Sequence, residues 1–161
     1  FDDLSKIKLA YIGDGNNVTH SLMFSAALCG SDMVVVCPQG CFPDGQVVLE
    51  AQAIAEQHGG TLTLSCDPQA AKGADAIYTD TWISMGDEEG TRREDFTPFQ
   101  VNRELLEVAA GDAIILHCLP AWRGMEITAE VIDGPQSAVF DEAENRLHVQ
   151  KAILSWCMAG N

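Results

Sequence analysis

The stretch "IKLAYIGDGNNVTHSLMFSAALCGSDMVVVCP", residues 7–38, decides the fold. Two short apolar runs, 7–13 and 32–38, flank a segment over 16–30 whose apolar residues recur at helical spacing and which closes on Gly30. Both runs are continuously apolar rather than alternating, which is typical of strands covered on both faces. The stretch therefore predicts a strand, a helix and a second strand that lies parallel to the first.

The rest of the chain continues this alternation. Further strands are predicted at 61–65, 76–80, 113–118 and 137–140, and further helices at 44–60, 67–74, 98–110, 127–134 and 141–160. Strands that alternate with helices predict an α/β fold, with a doubly wound, mainly parallel sheet and helices on both faces, as in Rossmann-like proteins. We expect one domain over residues 1–161, because the length suits a single domain and no linker or repeat interrupts it.

The charge balance excludes two classes of partner. The chain carries 24 acidic and nine basic residues, for a net charge of −15. No basic stripe is available to meet phosphates, so we expect no nucleic-acid partner and no anionic membrane partner. We find no signal peptide and no apolar run long enough to span a bilayer, and we expect a cytoplasmic protein.

The six cysteines are predicted to be reduced thiols, mostly buried. The chain is rich in core residues, and the cysteine spacings are irregular for a disulfide framework. The pair in "CPQGC", 37–41, lacks a second Cys/His pair at zinc-like spacing, so we predict no metal site. The sequence also starts abruptly before a core strand, and we expect it to be a fragment of something longer.

Three predicted strands end in polar or reactive residues: "GDGNN" at 13–17, "TDTWISMG" at 79–86 and "HCLP" at 117–120. In open parallel sheets, ligands bind beyond the carboxyl ends of the strands. These three ends are therefore the candidates for a common site.

The "GDGNN" segment partly matches a dinucleotide-binding fingerprint. The third glycine position holds Val18, and the second strand ends in "VVVCP" without a carboxylate for a ribose. A tight strand-to-helix turn explains the glycines equally well. Asn16 and Asn17 stand where the helix begins, so either an N-cap or a contact with a ligand carboxylate or carbonyl is open to them.

Asp80 and Cys118 follow two other predicted strands. Asp80 either caps the loop after it or faces a ligand, and that long loop carries Gly86 and Gly90 as hinges for a lid. Cys118 is either a small core residue or a polar tip in a cleft within reach of Asp80. A Cys118–His117 dyad is excluded if the strand is regular, because neighbouring side chains point to opposite faces.

Arg146 lies in the segment "FDEAENRLHVQ", 140–150, at the start of the last predicted helix. It either pairs with Glu142 one turn earlier or binds a phosphate or carbonyl oxygen of a ligand.

In order and spacing, "GDGNNVTHSLM", "TDTWISMG", "HCLPAWRGMEI" and "FDEAENRLHVQKAIL" resemble the second half of ornithine carbamoyltransferases. The resemblance covers essentially the whole chain. It implies an enzyme of two α/β domains, of which the first binds carbamoyl phosphate through a Ser-x-Arg-Thr-Arg motif and the second binds L-ornithine. This chain has no counterpart of that motif, so the resemblance implies the ornithine-binding domain without its N-terminal partner.

The resemblance also implies a role for each matching residue. Asp80 receives the α-ammonium group of ornithine, while Asn17, Ser84 and Met85 hold its α-amino and carboxylate groups.

Cys118 and Leu119 line the carbamoyl carbonyl and the reacting δ-amine, and Arg146 reaches carbamoyl phosphate. The catalytic residues so implied are Cys118, Asp80 and Arg146, with Cys118 as an orienting group and not a nucleophile. Trp122 replaces the histidine common in "HCLPAHRG", and we expect it to lie beside the pocket.

The activity that the resemblance implies is carbamoyl transfer from carbamoyl phosphate to L-ornithine, which gives citrulline for arginine biosynthesis. It implies a homotrimer in the full enzyme and no cofactor. Three other functions stay open: a carbamoyltransferase for aspartate, putrescine or an acylated ornithine, a nucleotide-binding module, and a non-catalytic binding domain.

Overall fold

The computed structural model of the chain describes residues 2–82 and 93–159. Within these ranges, five strands alternate with helices. The strands are β1 (Lys8–Ile12), β2 (Asp32–Val36), β3 (Leu62–Ser65), β4 (Ala76–Thr79) and β5 (Ile114–His117). The α-helices are α1 (Asn17–Cys29), α2 (Gly45–His58), α3 (Arg93–Phe96), α4 (Arg103–Leu106), α5 (Ala129–Ile132) and α6 (Val139–Met158).

All five strands are parallel, and their order in the sheet is β3-β2-β1-β4-β5. The chain starts in the middle at β1, winds outward through β2 and β3, and returns to β4 on the other side of β1. The strand order therefore reverses between β1 and β4, which is where ligand crevices form in open α/β sheets. The predicted doubly wound parallel fold is confirmed.

The central strand supplies both cores of the molecule. Leu9 and Tyr11 pack with residues of α1 and α2 on one face, while Ala10 and Ile12 pack with residues of α4, α5 and α6 on the other. Because these successive side chains enter opposite cores, every position from Leu9 to Ile12 must be apolar, which explains the continuous apolar run. The edge strand β3 differs, since only Leu62 in it is buried.

The first helix is bounded by capping residues that the sequence places where they are needed. Asn16 is the N-cap of α1, and its side-chain oxygen accepts hydrogen bonds from the backbone N–H groups of Val18 and Thr19. Gly30 ends the helix in the left-handed region, with φ of 71°, where a residue without Cβ is favoured.

Helical structure is shorter than predicted in three segments of the chain. The predicted helix 98–110 is a 3-10 turn, Thr97–Phe99, followed by the single turn of α4. The helical path is interrupted because Val101 pairs with Ile127 in an isolated β-bridge, after which Asn102 caps α4. The predicted helix 67–74 is a 3-10 helix, Pro68–Ala71, and the predicted helix 127–134 is reduced to α5.

The predicted strand 137–140 is wrong. Ser137 forms only an isolated bridge with Ile115, and α6 begins two residues later at Val139. Asp141 and Glu142 occupy the first turn of α6, where the positive end of the helix dipole stabilises acidic side chains. This preference outweighs the β-propensity of so short a run.

Helix α6 is twenty residues long, yet Val139 is its one buried residue. Seven large apolar side chains of α6 are exposed: Phe140, Leu147, Val149, Ile153, Leu154, Trp156 and Met158. Among the helices of the described ranges, none combines the length and the hydropathy that a bilayer span requires.

Candidate functional site

A cavity of about 340 Å³ opens at the carboxyl ends of β4 and β5, beside the first turn of α1 and the start of α6. Its walls combine amide, thiol, carboxylate and guanidinium groups with apolar side chains. The lining residues are Asn17, Val18, Ser21, Leu22, Tyr78, His117, Cys118, Glu142, Ala143 and Arg146.

Asp80 joins the ends of three neighbouring strands, β1, β4 and β5. One oxygen of its carboxylate accepts hydrogen bonds from the Cys118 thiol, at 3.0 Å, and from the Thr81 N–H, at 2.7 Å. The other accepts a bond of 2.9 Å from the side-chain amide of Asn16. The residue is only 9% exposed, so its charge is held in place by these donors.

The Cys118 thiol is held in its protonated form. Burial, followed by the hydrogen bond to Asp80 and the negative charge of that carboxylate, raises the pKa of Cys118 to about 12. A thiolate here would lie beside a carboxylate of the same charge in a partly buried site. Both the like charge and the burial disfavour the ionised form. The arrangement suits a hydrogen-bonding group and not a thiolate nucleophile.

The wide separation that a regular strand would give His117 and Cys118 is not observed at the tips of their side chains. One ligand atom each of Asp80, His117 and Cys118 lies within 4.8 Å of the others. The strand ends at His117, and Leu119 adopts φ of 56°, so the chain turns before a regular alternation can separate the side chains. His117 still cannot serve Cys118 as a base, because its Nδ1 accepts the Leu119 N–H and its Nε2 faces Glu126.

The same three residues have the chemistry of metal ligands, but their lone pairs and protons are already committed. Nδ1 of His117 holds a backbone N–H, and the thiol proton of Cys118 lies on Asp80. A metal ion here would have to displace both hydrogen bonds. The absence of a metal stays a prediction.

The two asparagines divide the roles that the sequence left open. Asn16 caps α1 and also donates to Asp80. Asn17 is exposed, lines the cavity, and makes no side-chain hydrogen bond with the described residues. The side-chain amide of Asn17 is therefore available to donate hydrogen bonds to a ligand or to accept one from it.

A second carboxylate, Glu142, fastens α6 to the strand ends. It accepts a hydrogen bond of 2.6 Å from the Tyr78 hydroxyl and one of 3.0 Å from the His117 N–H. The local alternative, an ion pair with Arg146, does not form, since among the described residues Arg146 makes no ion pair. The Arg146 guanidinium is exposed at the cavity wall.

The remaining predicted residues lie elsewhere. Ser84, Met85 and the hinge glycines of the predicted lid fall outside the described residues. Leu119 is half-buried and packs on the core that lies on the α4–α6 face of the sheet. The side chain of Trp122 is 65% exposed and lies outside the cavity lining.

The glycines of "GDGNN" are explained by packing. A Cβ on Gly15 would lie 2.2 Å from the backbone nitrogen of Pro43, so the loop after β2 can approach only because this residue is glycine. The Gly15 N–H also donates to the carbonyl of Cys41. A nucleotide is not needed to account for this turn.

Three site residues were not predicted. Tyr78 had a usable signal, since it stands two residues before Asp80 on the same strand and therefore on the same face. Glu142 was considered only as an ion-pair partner of Arg146. Glu126 lies in a loop, where no periodicity predicts which side chain turns inward.

The chain is similar to known proteins over nearly its whole length. The family described as aspartate/ornithine carbamoyltransferase, Asp/Orn binding domain, matches residues 5–157. Ornithine carbamoyltransferase from Rhodococcus opacus is 56% identical over 97% of this chain and 51% of the relative, and that from Shewanella oneidensis is 52% identical over 96% of this chain and 52% of the relative.

Among solved structures, ornithine carbamoyltransferase from Pyrococcus furiosus superposes with a TM-score of 0.95 and 49% identity, over 99% of this chain and 52% of that one. The chain thus spans about half the length of the relatives it matches. The resemblance inferred from the four motifs is confirmed, and the chain belongs to the aspartate/ornithine carbamoyltransferase family as its Asp/Orn-binding domain.

Proposed function

We propose that this domain binds L-ornithine and, with a carbamoyl-phosphate domain, transfers the carbamoyl group to the δ-amine of ornithine. The observation that carries the proposal is the Asp80 carboxylate, which meets a thiol and an amide at the edge of a cavity with an exposed arginine. The products are citrulline and phosphate, so the domain would serve arginine biosynthesis in the cytoplasm.

Asp80 is suited to the α-ammonium group. A carboxylate offers about four lone-pair sites. Among the described residues, Oδ1 accepts from the Cys118 thiol and from the N–H and hydroxyl of Thr81, whereas Oδ2 accepts only from the Asn16 amide. Oδ2 can therefore accept a second bond from a charged N–H donor, and such bonds are the stronger ones. Asn17 and the Ser84–Met85 segment complete the grip on the α-amino and carboxylate groups.

The reaction needs a neutral δ-amine, although a free amine of this kind is mostly ammonium near pH 7. Transfer into a dry pocket disfavours the charged form. The amine nitrogen then attacks the carbamoyl carbon, the C–N bond forms, the bond from carbon to the phosphate oxygen breaks, and the amine proton leaves with phosphate. No covalent intermediate, cofactor or metal ion is required.

Cys118 and Leu119 would lie along the carbamoyl carbonyl and the attacking amine, and Arg146 would meet the phosphate. The protonated Cys118 thiol supports this role, because it donates its single proton to Asp80 and is not a thiolate that would attack the substrate. Arg146 is exposed and makes no ion pair with the described residues, so its guanidinium is available for bidentate binding of phosphate oxygens. Catalysis is then positioning together with electrostatic stabilisation.

The partner of this domain would be a carbamoyl-phosphate domain in the same polypeptide, assembled as a homotrimer. Two observations support a partner: the chain spans half the length of its relatives, and α6 exposes seven large apolar side chains. Exposed apolar surface of this extent is typical of an interface. The cavity borders α6, so a partner on this helix would close the site.

The test is a panel of amine acceptors offered to the complete two-domain protein with carbamoyl phosphate. We expect turnover with L-ornithine to exceed turnover with aspartate, putrescine and N-acetylornithine by at least about 100-fold, because each lacks a group that the proposed site uses. Aspartate has no δ-amine, putrescine has no α-carboxylate, and N-acetylornithine has no α-ammonium group. If another of these amines gave the highest turnover, that amine would replace L-ornithine as the proposed acceptor. No turnover with any of the four would overturn carbamoyl transfer and favour a binding or nucleotide-dependent role.

A further inference from the structure

A buried acid–imidazole pair lies directly behind Cys118. His117 and Glu126 are each 1% exposed, and Nε2 of His117 is 3.1 Å from Oε1 of Glu126. Burying a carboxylate is destabilising unless its partners are well placed. None of the substrate contacts proposed above uses Glu126, so its burial calls for another explanation.

The hydrogen bonds fix which nitrogen of His117 carries the proton. Nδ1 accepts a bond of 2.9 Å from the Leu119 N–H, and a nitrogen that accepts has no proton of its own. The proton of the neutral ring is therefore on Nε2 and points at Glu126. The same oxygen of Glu126 accepts a bond of 2.6 Å from the Trp122 N–H.

The pair holds both ends of a short loop. The Leu119 N–H is bound by His117 and the Trp122 N–H by Glu126. Leu119 has φ of 56°, and among the described residues no other non-glycine residue has a positive φ. Such a conformation is strained and persists only where neighbouring contacts impose it.

Cys118 is the residue between the imidazole and this turn. Its backbone is fixed on one side by His117 and on the other by the left-handed Leu119. Its thiol reaches Asp80 at 3.0 Å. The direction of the thiol therefore depends on the turn, and the turn depends on an acceptor at Nδ1.

We propose that Glu126 is a positioning residue: it keeps His117 in the Nε2–H tautomer, which holds the Leu119 turn and thereby aims the Cys118 thiol at Asp80. The catalytic consequence rests on the proposed function. The geometric part does not, since it concerns the thiol in the absence of any substrate.

Two pairs of substitutions separate this role from a merely structural one. In His117→Asn, the side-chain oxygen takes the place of Nδ1 and can still accept the Leu119 N–H, whereas His117→Gln reaches toward Glu126 and leaves that N–H unpaired. In Glu126→Gln, the side-chain oxygen still accepts from His117 and Trp122. Glu126→Leu removes the acceptor altogether.

The first readout is alkylation of Cys118 by iodoacetamide in the intact protein at about pH 8, followed by mass spectrometry. Residues 104–123, released by cleavage after Arg103 and Arg123, contain a single cysteine, so this peptide reports Cys118 alone. We expect His117→Gln and Glu126→Leu to raise the alkylation rate at least about tenfold, because the thiol leaves Asp80. His117→Asn and Glu126→Gln should stay within about twofold of the unmodified protein.

The second readout is the kinetics of the complete two-domain protein. We expect kcat to fall about 100-fold in His117→Gln with little change in KM for carbamoyl phosphate, as for a misplaced reacting group. In His117→Asn, kcat should recover to within about threefold. A variant that is only less stable, with Cys118 still correctly placed, would not produce this difference in kcat between His117→Gln and His117→Asn.

Equal alkylation rates in His117→Asn and His117→Gln would overturn the role of the imidazole, and equal rates in the two Glu126 variants would overturn that of the carboxylate. If Glu126→Leu does not fold, the comparison of His117→Asn with His117→Gln tests the proposal by itself. A complete protein that transfers no carbamoyl group in any form overturns the proposed function and leaves the alkylation result to judge the positioning role.

Discussion

Asp80 and Cys118 form a contact in which each residue limits what the other can do. The carboxylate holds the thiol proton, and the thiol occupies a lone pair that a cation could otherwise take. Because burial and Asp80 both raise the pKa of Cys118, the sulfur stays protonated through the neutral range. A side chain in this state directs a substrate without reacting with it.

Replacing Cys118 by Ala in the complete two-domain protein tests this role. We expect kcat to fall by at least about 100-fold, since the group beside the reacting carbon is lost. The free energy of unfolding should change by less than about 1.5 kcal/mol, because one hydrogen bond is removed and Asp80 keeps two others. The exposed Cys66 serves as the control, and Cys66→Ala should leave both quantities unchanged. Turnover close to normal in Cys118→Ala would contradict the role.

Predictability at the residue scale depended on whether a side chain lies at the end of a regular element. Asp80 and Cys118 directly follow strands, so the sequence brought them to one edge of the sheet, and the structure places them 3.0 Å apart. The separation of His117 from Cys118 was mispredicted because it assumed a regular strand where the chain already turns. Glu126 was missed because its burial depends on the loop after that turn.

At the scale of elements, the first turn of α1 contains two asparagines with different duties. Asn16 holds the helix end and Asp80, while Asn17 is exposed at the cavity. An N-cap contributes to folding whether or not a ligand is bound. A free amide at the cavity contributes only when a ligand arrives.

The two alanine variants at these positions should therefore separate stability from binding. Asn16→Ala should lower the free energy of unfolding by about 1 kcal/mol or more, from the lost cap and the lost contact with Asp80. Asn17→Ala should change it by less than about 0.5 kcal/mol. In the complete protein, Asn17→Ala should raise KM for ornithine about tenfold, as for a lost bond to a charged group. Urea unfolding and steady-state kinetics measure the two effects, and the opposite pattern would exchange the roles of the asparagines.

Elements with a strong period were predictable, and elements shaped by distant contacts were not. Strands β1, β2, β4 and β5 follow from apolar runs, and α1 follows from apolar spacing and its caps. The segment 98–110 has a helical pattern, but pairing of Val101 with Ile127 divides it. A bridge between residues 26 positions apart leaves no trace in a local window.

At the scale of the whole molecule, several titratable groups are buried in their neutral forms. Burial raises the pKa of Tyr11, of Cys37, of Tyr78 and of Cys118. A group whose pKa is raised by folding contributes its full stability below the pKa of the unfolded chain and loses it as the pH rises toward the folded value. The folded molecule should therefore weaken in alkaline solution.

We expect the free energy of unfolding to be steady up to about pH 8.5, where unfolded thiols begin to ionise, and to fall steadily above it. Each buried group contributes a slope of up to about 1.4 kcal/mol per pH unit. Urea unfolding at about pH 8 and about pH 10.5 measures the fall. Cys37→Ala should reduce the slope, and Cys29→Ala, at an exposed position, should not. Stability that is independent of pH over this range would contradict the assignment.

Helix α6 has mechanical consequences for any partner that rests on it. Glu142 in its first turn is hydrogen-bonded to Tyr78 and His117, whereas the rest of the helix is exposed. The helix is about 30 Å long and is attached near one end, so it can act as a lever with its pivot beside the carboxyl ends of β4 and β5. A tilt of about 10° at the pivot swings the far tip by about 5 Å. Arg146 sits near the pivot, where it would hardly move, while small rearrangements around Tyr78 and His117 would be magnified at the distal end.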